Sequence, residues 1–200
     1  MELSGVVERV GDEVKSFKPG DAVFGDISDC GFGTFAEYLS VDEGGVIKKT
    51  EGISFNDASA LPHASLLALQ GLRDLGKIKE DQKILINGAG GGVGPIGVQL
   101  AKLYNCEVTG VDSGDKLNLM RSVGFDHVID YTKEDFTKNG EKYDLILDCK
   151  TTRSPFSYLP SLNSEGRYIT VGGALHRILQ ILLFKKIISL FTGKTLNLLG

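Results

Sequence analysis

Cysteine is scarce in this chain of 200 residues: Cys30, Cys106 and Cys149 stand alone, and no two form a CxxC pair. An odd, scattered set of thiols argues against a disulfide framework or a structural zinc knot and suits a reducing compartment. A basic surplus is missing too. The formal net charge is −4, so the chain lacks the concentrated Lys and Arg that nucleic acid demands. The start, MELSGVVERV, lacks a signal-peptide core, and a cytoplasmic location is expected. There is also no clean apolar run of membrane-spanning length. The most apolar stretch, Ala174 to Gly193, carries Lys185 and Lys186 in its middle, whereas a span needs about 20 predominantly apolar residues. It is expected to form a buried helix or to line an apolar pocket. No repeat or low-complexity segment stands out.

Glycine, by contrast, is plentiful, with 26 residues gathered in discrete turns. Up to about Lys49 the chain reads as short strands, SGVVERVG, DAVFGD and GTFAEYLSV, with a KPGD turn between the first two. Ser54 followed by Asp57 is a capping-box signal for a helix reaching Gly76, interrupted at Pro62. Beyond Lys83 the pattern alternates. Strands are expected at Lys83–Asn87, Glu107–Asp112, His127–Asp130, Tyr143–Asp148 and Arg167–Val171, and a sixth begins in KTLNLLG. Helices fall at Val93–Tyr104 and Lys116–Val123, with a short one after Thr132 and another from Ser154–Pro155. Apolar runs without polar alternation, such as ILI and LIL, belong to strands buried on both faces of a parallel sheet. The fold class is therefore α/β, a Rossmann-type doubly wound parallel sheet with helices on both faces, preceded by a small β domain. The divisions are 1–50 for the β part, 51–82 for a helical connection and 83–200 for the dinucleotide-binding domain.

The stretch KILINGAGGGVGPIGVQLAK, from Lys83 to Lys102, leads a strand through glycines into a helix. A G-x-G-x-x-G fingerprint falls on Ala89, Gly91 and Gly94, with Ala at the first position. Gly91 would let the backbone approach a pyrophosphate, and Gly94 would let helix pack closely on strand. The helix N-terminus offers unpaired N–H groups to phosphates. An acid about 20 residues on, Asp112, stands where the motif expects the ribose contact, which favours NAD. Ser113 and Lys116 follow and could hold the 2′-phosphate of NADP, so the choice between the two stays open. A Gly-rich turn without a ligand is the plain alternative; the strand before it, the helix after it and the placed acid weigh against that.

Other candidates carry less. Asp144 and Asp148 flank LIL in one strand; Asp148 ends it at the edge where open α/β sheets bind ligands, and it reads as a structural or loop-ordering group. Cys149 has no neighbouring base to activate it. His63, His127 and His176 lack metal-ligand spacing.

The ordered motifs ELSGVVERVGDEVKSFKPGDAVFG, GTFAEY, GGGVG, VTGVDS, GFDHVIDYTKEDF and GRYITVGG resemble the medium-chain dehydrogenase/reductase superfamily over nearly the whole chain. They look most like its zinc-free quinone oxidoreductase branch, the zeta-crystallin-like proteins. That resemblance implies part of a GroES-like barrel up to about Lys49 and hydride transfer from NADP(H) to quinones, 2-alkenals or enoyl thioesters. It places cofactor contacts at Ala89, Gly90, Gly91, Gly92, Val93 and Gly94. It adds Ser113 and Lys116 for the 2′-phosphate, Tyr131 near the adenine, and Val171 and Gly172 near the nicotinamide. His63 falls where related alcohol dehydrogenases place a zinc ligand and is expected to line the substrate pocket instead; no metal is expected. Homodimers are common in the family, whose members extend further at both ends than this sequence. No catalytic acid is named. Two rival readings are a dinucleotide-binding protein without turnover and a zinc-dependent alcohol dehydrogenase.

Overall fold

The computed structural model describes residues 1–31 and 33–199, which fall into two compact units, Met1–Leu66 and Leu67–Gly200. In the first, β1 (Glu2–Val6), β2 (Ala22–Asp26) and β3 (Ile47–Lys48) form an antiparallel sheet in that order. The KPGD turn forms as expected: Asp21 N donates to Lys18 O at 3.1 Å, and the Asp21 carboxylate accepts from Lys18 N at 3.1 Å. A short helix, α1 (Phe55–Ser59), follows. Its capping box is present, with Asp57 N donating to Ser54 Oγ at 3.1 Å and so satisfying one of the first-turn N–H groups. Pro62 begins the next helix, α2 (Pro62–Leu69), where its missing N–H costs nothing.

The second unit is a six-stranded parallel sheet in the order β6-β5-β4-β7-β8-β9. Its strands are β4 (Lys83–Asn87), β5 (Glu107–Asp112), β6 (His127–Asp130), β7 (Tyr143–Asp148), β8 (Leu162–Val171) and β9 (Thr195–Leu199). Helices α3 (Val93–Lys102), α4 (Leu117–Ser122) and α5 (Leu175–Thr192) connect them. Both sheet faces are covered. On one, Ile84, Ile86, Val108, Leu145 and Leu147 pack with Val98 and Ala101 of α3 and Met120 of α4. On the other, Leu85, Val111 and Ile146 pack with Phe136, Tyr158 and Ile181. Each such buried side chain stabilises the fold by about 1.5–3 kcal/mol, which is why these strands read as unbroken apolar runs.

Three expectations are corrected. Residues 33–41 of GTFAEYLSV are not a strand; they form bends that leave Phe35 and Tyr38 exposed. No helix follows Thr132, where a series of turns ends at β7. The apolar run from Ala174 does form a helix, α5, but it is not buried. Ile181 is its one buried residue, and no helix among the described residues is long and apolar enough to cross a membrane.

Candidate dinucleotide site

The C-terminal ends of β4, β5, β7 and β8 lie side by side, with Asn87 paired to Val111 and to Asp148, and Asp148 to Thr170. The glycine loop springs from this edge. Gly88 turns the chain at φ 85°, a conformation L side chains rarely adopt, and Gly88 N and Ala89 N both donate to Val111 O. A Cβ on Gly94 would lie 1.8 Å from Ala89 O, so helix and loop touch backbone to backbone there. Gly91 differs. A Cβ there would meet nothing closer than Gly88 O at 3.4 Å, so that side of the loop is open. Gly92 precedes α3 without any side-chain cap, leaving first-turn N–H groups of the helix without protein side-chain acceptors. An open backbone cradle at an uncapped helix start fits a pyrophosphate by the same chemistry that any helix N-terminus offers an anion.

Asp112 ends β5 and is almost fully buried. Its Oδ2 accepts from Gly90 N at 2.9 Å; its Oδ1 accepts from Ser113 N at 2.8 Å and Ser113 Oγ at 3.3 Å, and Lys116 Nζ lies 3.3 Å away. Burial pushes its pKa up, but the Ser113 and Gly90 amides and the Lys116 ammonium outweigh it and hold the carboxyl below its usual value. Four donors already occupy this carboxylate. The structure thus gathers Gly90, Asp112, Ser113 and Lys116 into one cluster beside the loop. Tyr131 sits just past β6, half exposed, with its N–H donated to Asp112 O at 3.2 Å. Val171 ends β8, and Gly172 N donates to Leu199 O at 3.1 Å.

His63 lies in the other unit. Its ring Nδ1 is 2.7 Å from Asp26 Oδ2, and its backbone N–H donates to Glu2 at 2.9 Å. Among the described residues, no three of His, Cys, Asp or Glu are grouped to hold a metal ion. Burial, reinforced by the Asp148 charge, pushes the Cys149 thiol up to about 12, so it stays protonated at neutral pH and is no nucleophile.

Sequence reasoning placed Asp148 but missed its partners. Its carboxylate is fully buried and accepts from Asn87 Nδ2 (2.8 Å), Tyr168 Oη (2.7 Å), Lys150 N (3.1 Å) and Thr151 N (3.0 Å). It ties the ends of β4, β7 and β8 together at the edge where the glycine loop begins. Asn87, a polar residue closing an apolar strand, was the one signal for this network in the sequence.

Residues 92–197 match the family model described as zinc-binding dehydrogenase, and residues 1–51 match the alcohol dehydrogenase GroES-like domain. The chain belongs to the medium-chain dehydrogenase/reductase superfamily. Among relatives, it is 41% identical over 155 residues to a 2-methylene-furan-3-one reductase of Solanum lycopersicum, covering 74% of this chain and 40% of that protein. It is 36% identical over 180 residues to a chloroplast envelope quinone oxidoreductase homolog of Arabidopsis thaliana, covering 85% and 54% respectively. The solved quinone oxidoreductase from Coxiella burnetii superposes with a TM-score of 0.83 at 26% identity, over 100% of this chain and 61% of that one. The chain thus spans about half the length of the curated relatives it matches, and the superfamily assignment agrees with both the sheet order and the motif resemblance.

Proposed function

We propose that this protein is an NAD(P)H-dependent oxidoreductase that delivers hydride to a quinone or an α,β-unsaturated carbonyl without zinc. The observation that carries the reading is the open glycine loop at the uncapped start of α3, on the C-terminal edge of a parallel sheet. Relatives named as quinone oxidoreductases and as an NADPH-dependent alkenal/one oxidoreductase support the acceptor class. When bound, the reduced nicotinamide supplies the hydride. The chain's own residues do the positioning. Ala89, Gly90 and Gly91 shape the loop, their amides donated within the protein. The first-turn amides of Gly92, Val93 and Gly94 hold the pyrophosphate. Val171 and Gly172 border the nicotinamide end, and Tyr131 borders the adenine.

NADP(H) is the preferred cofactor in this proposal. Asp112 already binds four donors, so it has little capacity left for a ribose hydroxyl pair, and its role becomes the ordering of Gly90 and Ser113. Lys116, half exposed and anchored beside that carboxylate, is placed to meet a 2′-phosphate, with Ser113 Oγ next to it. Steady-state turnover tests the proposal: purified protein with NADPH and a quinone or an enone consumes reduced cofactor. Binding without any turnover would replace this reading with that of a dinucleotide-binding protein.

A further inference from the structure

We propose that the outer face of α5 docks on an anionic lipid surface. The helix is 18 residues long, about 27 Å at 1.5 Å per residue. Its inner face is seated by Ile181, fully buried against Tyr158 and Tyr168, and by Ile188. Phe184 packs edge-on to Phe156 with ring centres 5.4 Å apart. The opposite face is apolar as well. Leu175, Leu179, Leu183, Ile187 and Leu190 recur at helical spacing along it, all exposed, with Leu190 at 81%. Contiguous exposed apolar surface of this kind marks a contact with another body.

Charge identifies the body. α5 itself carries no Asp or Glu, while Arg177, Lys185 and Lys186 fall on it, in a chain whose net charge is −4. Lys185 and Lys186 are exposed in the middle of α5, and Lys186 lies within the apolar stripe. A second copy is a poor occupant: a two-fold contact along this helix sets its middle against its middle, lysine facing lysine. Nucleic acid would satisfy the lysines and leave the leucines in water. A bilayer carrying acidic headgroups satisfies both, taking the leucines and isoleucine at the acyl boundary while the lysine stems reach up to the phosphates. The helix lies on such a surface and does not cross it. This contact is independent of the dinucleotide site.

Vesicle flotation of the purified protein tests it. Phosphatidylcholine vesicles containing phosphatidylserine should carry the protein at low salt, release it at high salt, and outcompete vesicles of phosphatidylcholine alone. The variant Lys186→Ala should lower partitioning about fivefold. Leu183→Ser/Leu190→Ser should abolish it with the far-UV circular dichroism spectrum unchanged. No flotation with acidic vesicles at low salt overturns the proposal, as does flotation that neither variant weakens. A dimer in light scattering that the leucine variant dissolves, without lipid binding, would assign the face to a second copy. Tighter capture by a single-stranded oligonucleotide than by acidic vesicles would assign it to nucleic acid.

Discussion

Gly91 and Gly94 sit three residues apart and do opposite things. Gly94 lacks a side chain because Ala89 O occupies the place of its Cβ, at 1.8 Å. Gly94→Ala should therefore destabilise the protein, by about 1–3 kcal/mol for overpacking, read as a lowered thermal midpoint. A Cβ on Gly91 would make only an ordinary contact with Gly88 O at 3.4 Å, so Gly91→Val should leave the midpoint nearly unchanged and remove NADPH binding. Retained binding in that variant would mean the loop is in the wrong register. Lys116→Ala should weaken NADPH by about 10- to 100-fold, the value of a hydrogen bond to a charged group, with little effect on NADH. Equal weakening of both would take Lys116 out of the site. Asp112 adds a pH signature. Its folded pKa lies below the ordinary value of 3.8, so its stabilising share is complete at neutral pH and is lost as pH falls through that lowered value. The stability gap between the native protein and Asp112→Asn, followed by denaturant melts, should therefore close in acid. A gap independent of pH would show that the negative charge is not what matters.

At the scale of elements, β4, β5, β6 and β7 form at the residues their apolar runs indicate, because burial on both faces leaves an unmistakable signature. β8 starts at Leu162, five residues ahead of the expected Arg167. The polar Asn163, Ser164 and Glu165 hide that extension, and the ladder to β7 shifts register between Tyr143 and Leu145. GTFAEYLSV has the alternation of a half-buried strand, yet among the described residues nothing covers Phe35 or Tyr38; alternation records what a segment could bury, not what it does bury. α5 misleads in the other direction, since apolar composition is the same for a core helix and for one that meets something outside the chain. The buried knot at the sheet's edge was only half legible. Asp148 is visible by position, but that Asn87 and Tyr168 converge with it is a product of the parallel register, and Tyr158 joins them from the short helix Pro155–Ser161, its Oη accepting from Asn87 Nδ2 at 3.3 Å. Asp148→Ala takes the acceptor from the Tyr168 hydroxyl and from Lys150 N and Thr151 N, while Asn87 Nδ2 keeps Tyr158 Oη at 3.3 Å. At about 1–3 kcal/mol for each unsatisfied group, it should lower the thermal midpoint by roughly 5–15 °C, whereas an unchanged midpoint would deny the network its structural role.

For the whole molecule, the sheet order β6-β5-β4-β7-β8-β9 brings every proposed cofactor contact of the second unit to one edge, and this much follows from the alternation of strands and helices. The choice between cofactors does not. It depends on whether Asp112 is free or engaged, a matter of four hydrogen-bond donors that converge only in the folded chain. The most direct measurement is a parallel titration of the purified protein with NADPH and NADH, followed by nicotinamide fluorescence. The account predicts saturable binding of NADPH at least about tenfold tighter than NADH, a difference of about 1.4 kcal/mol. Binding of neither, or NADH bound as tightly as NADPH, would contradict it.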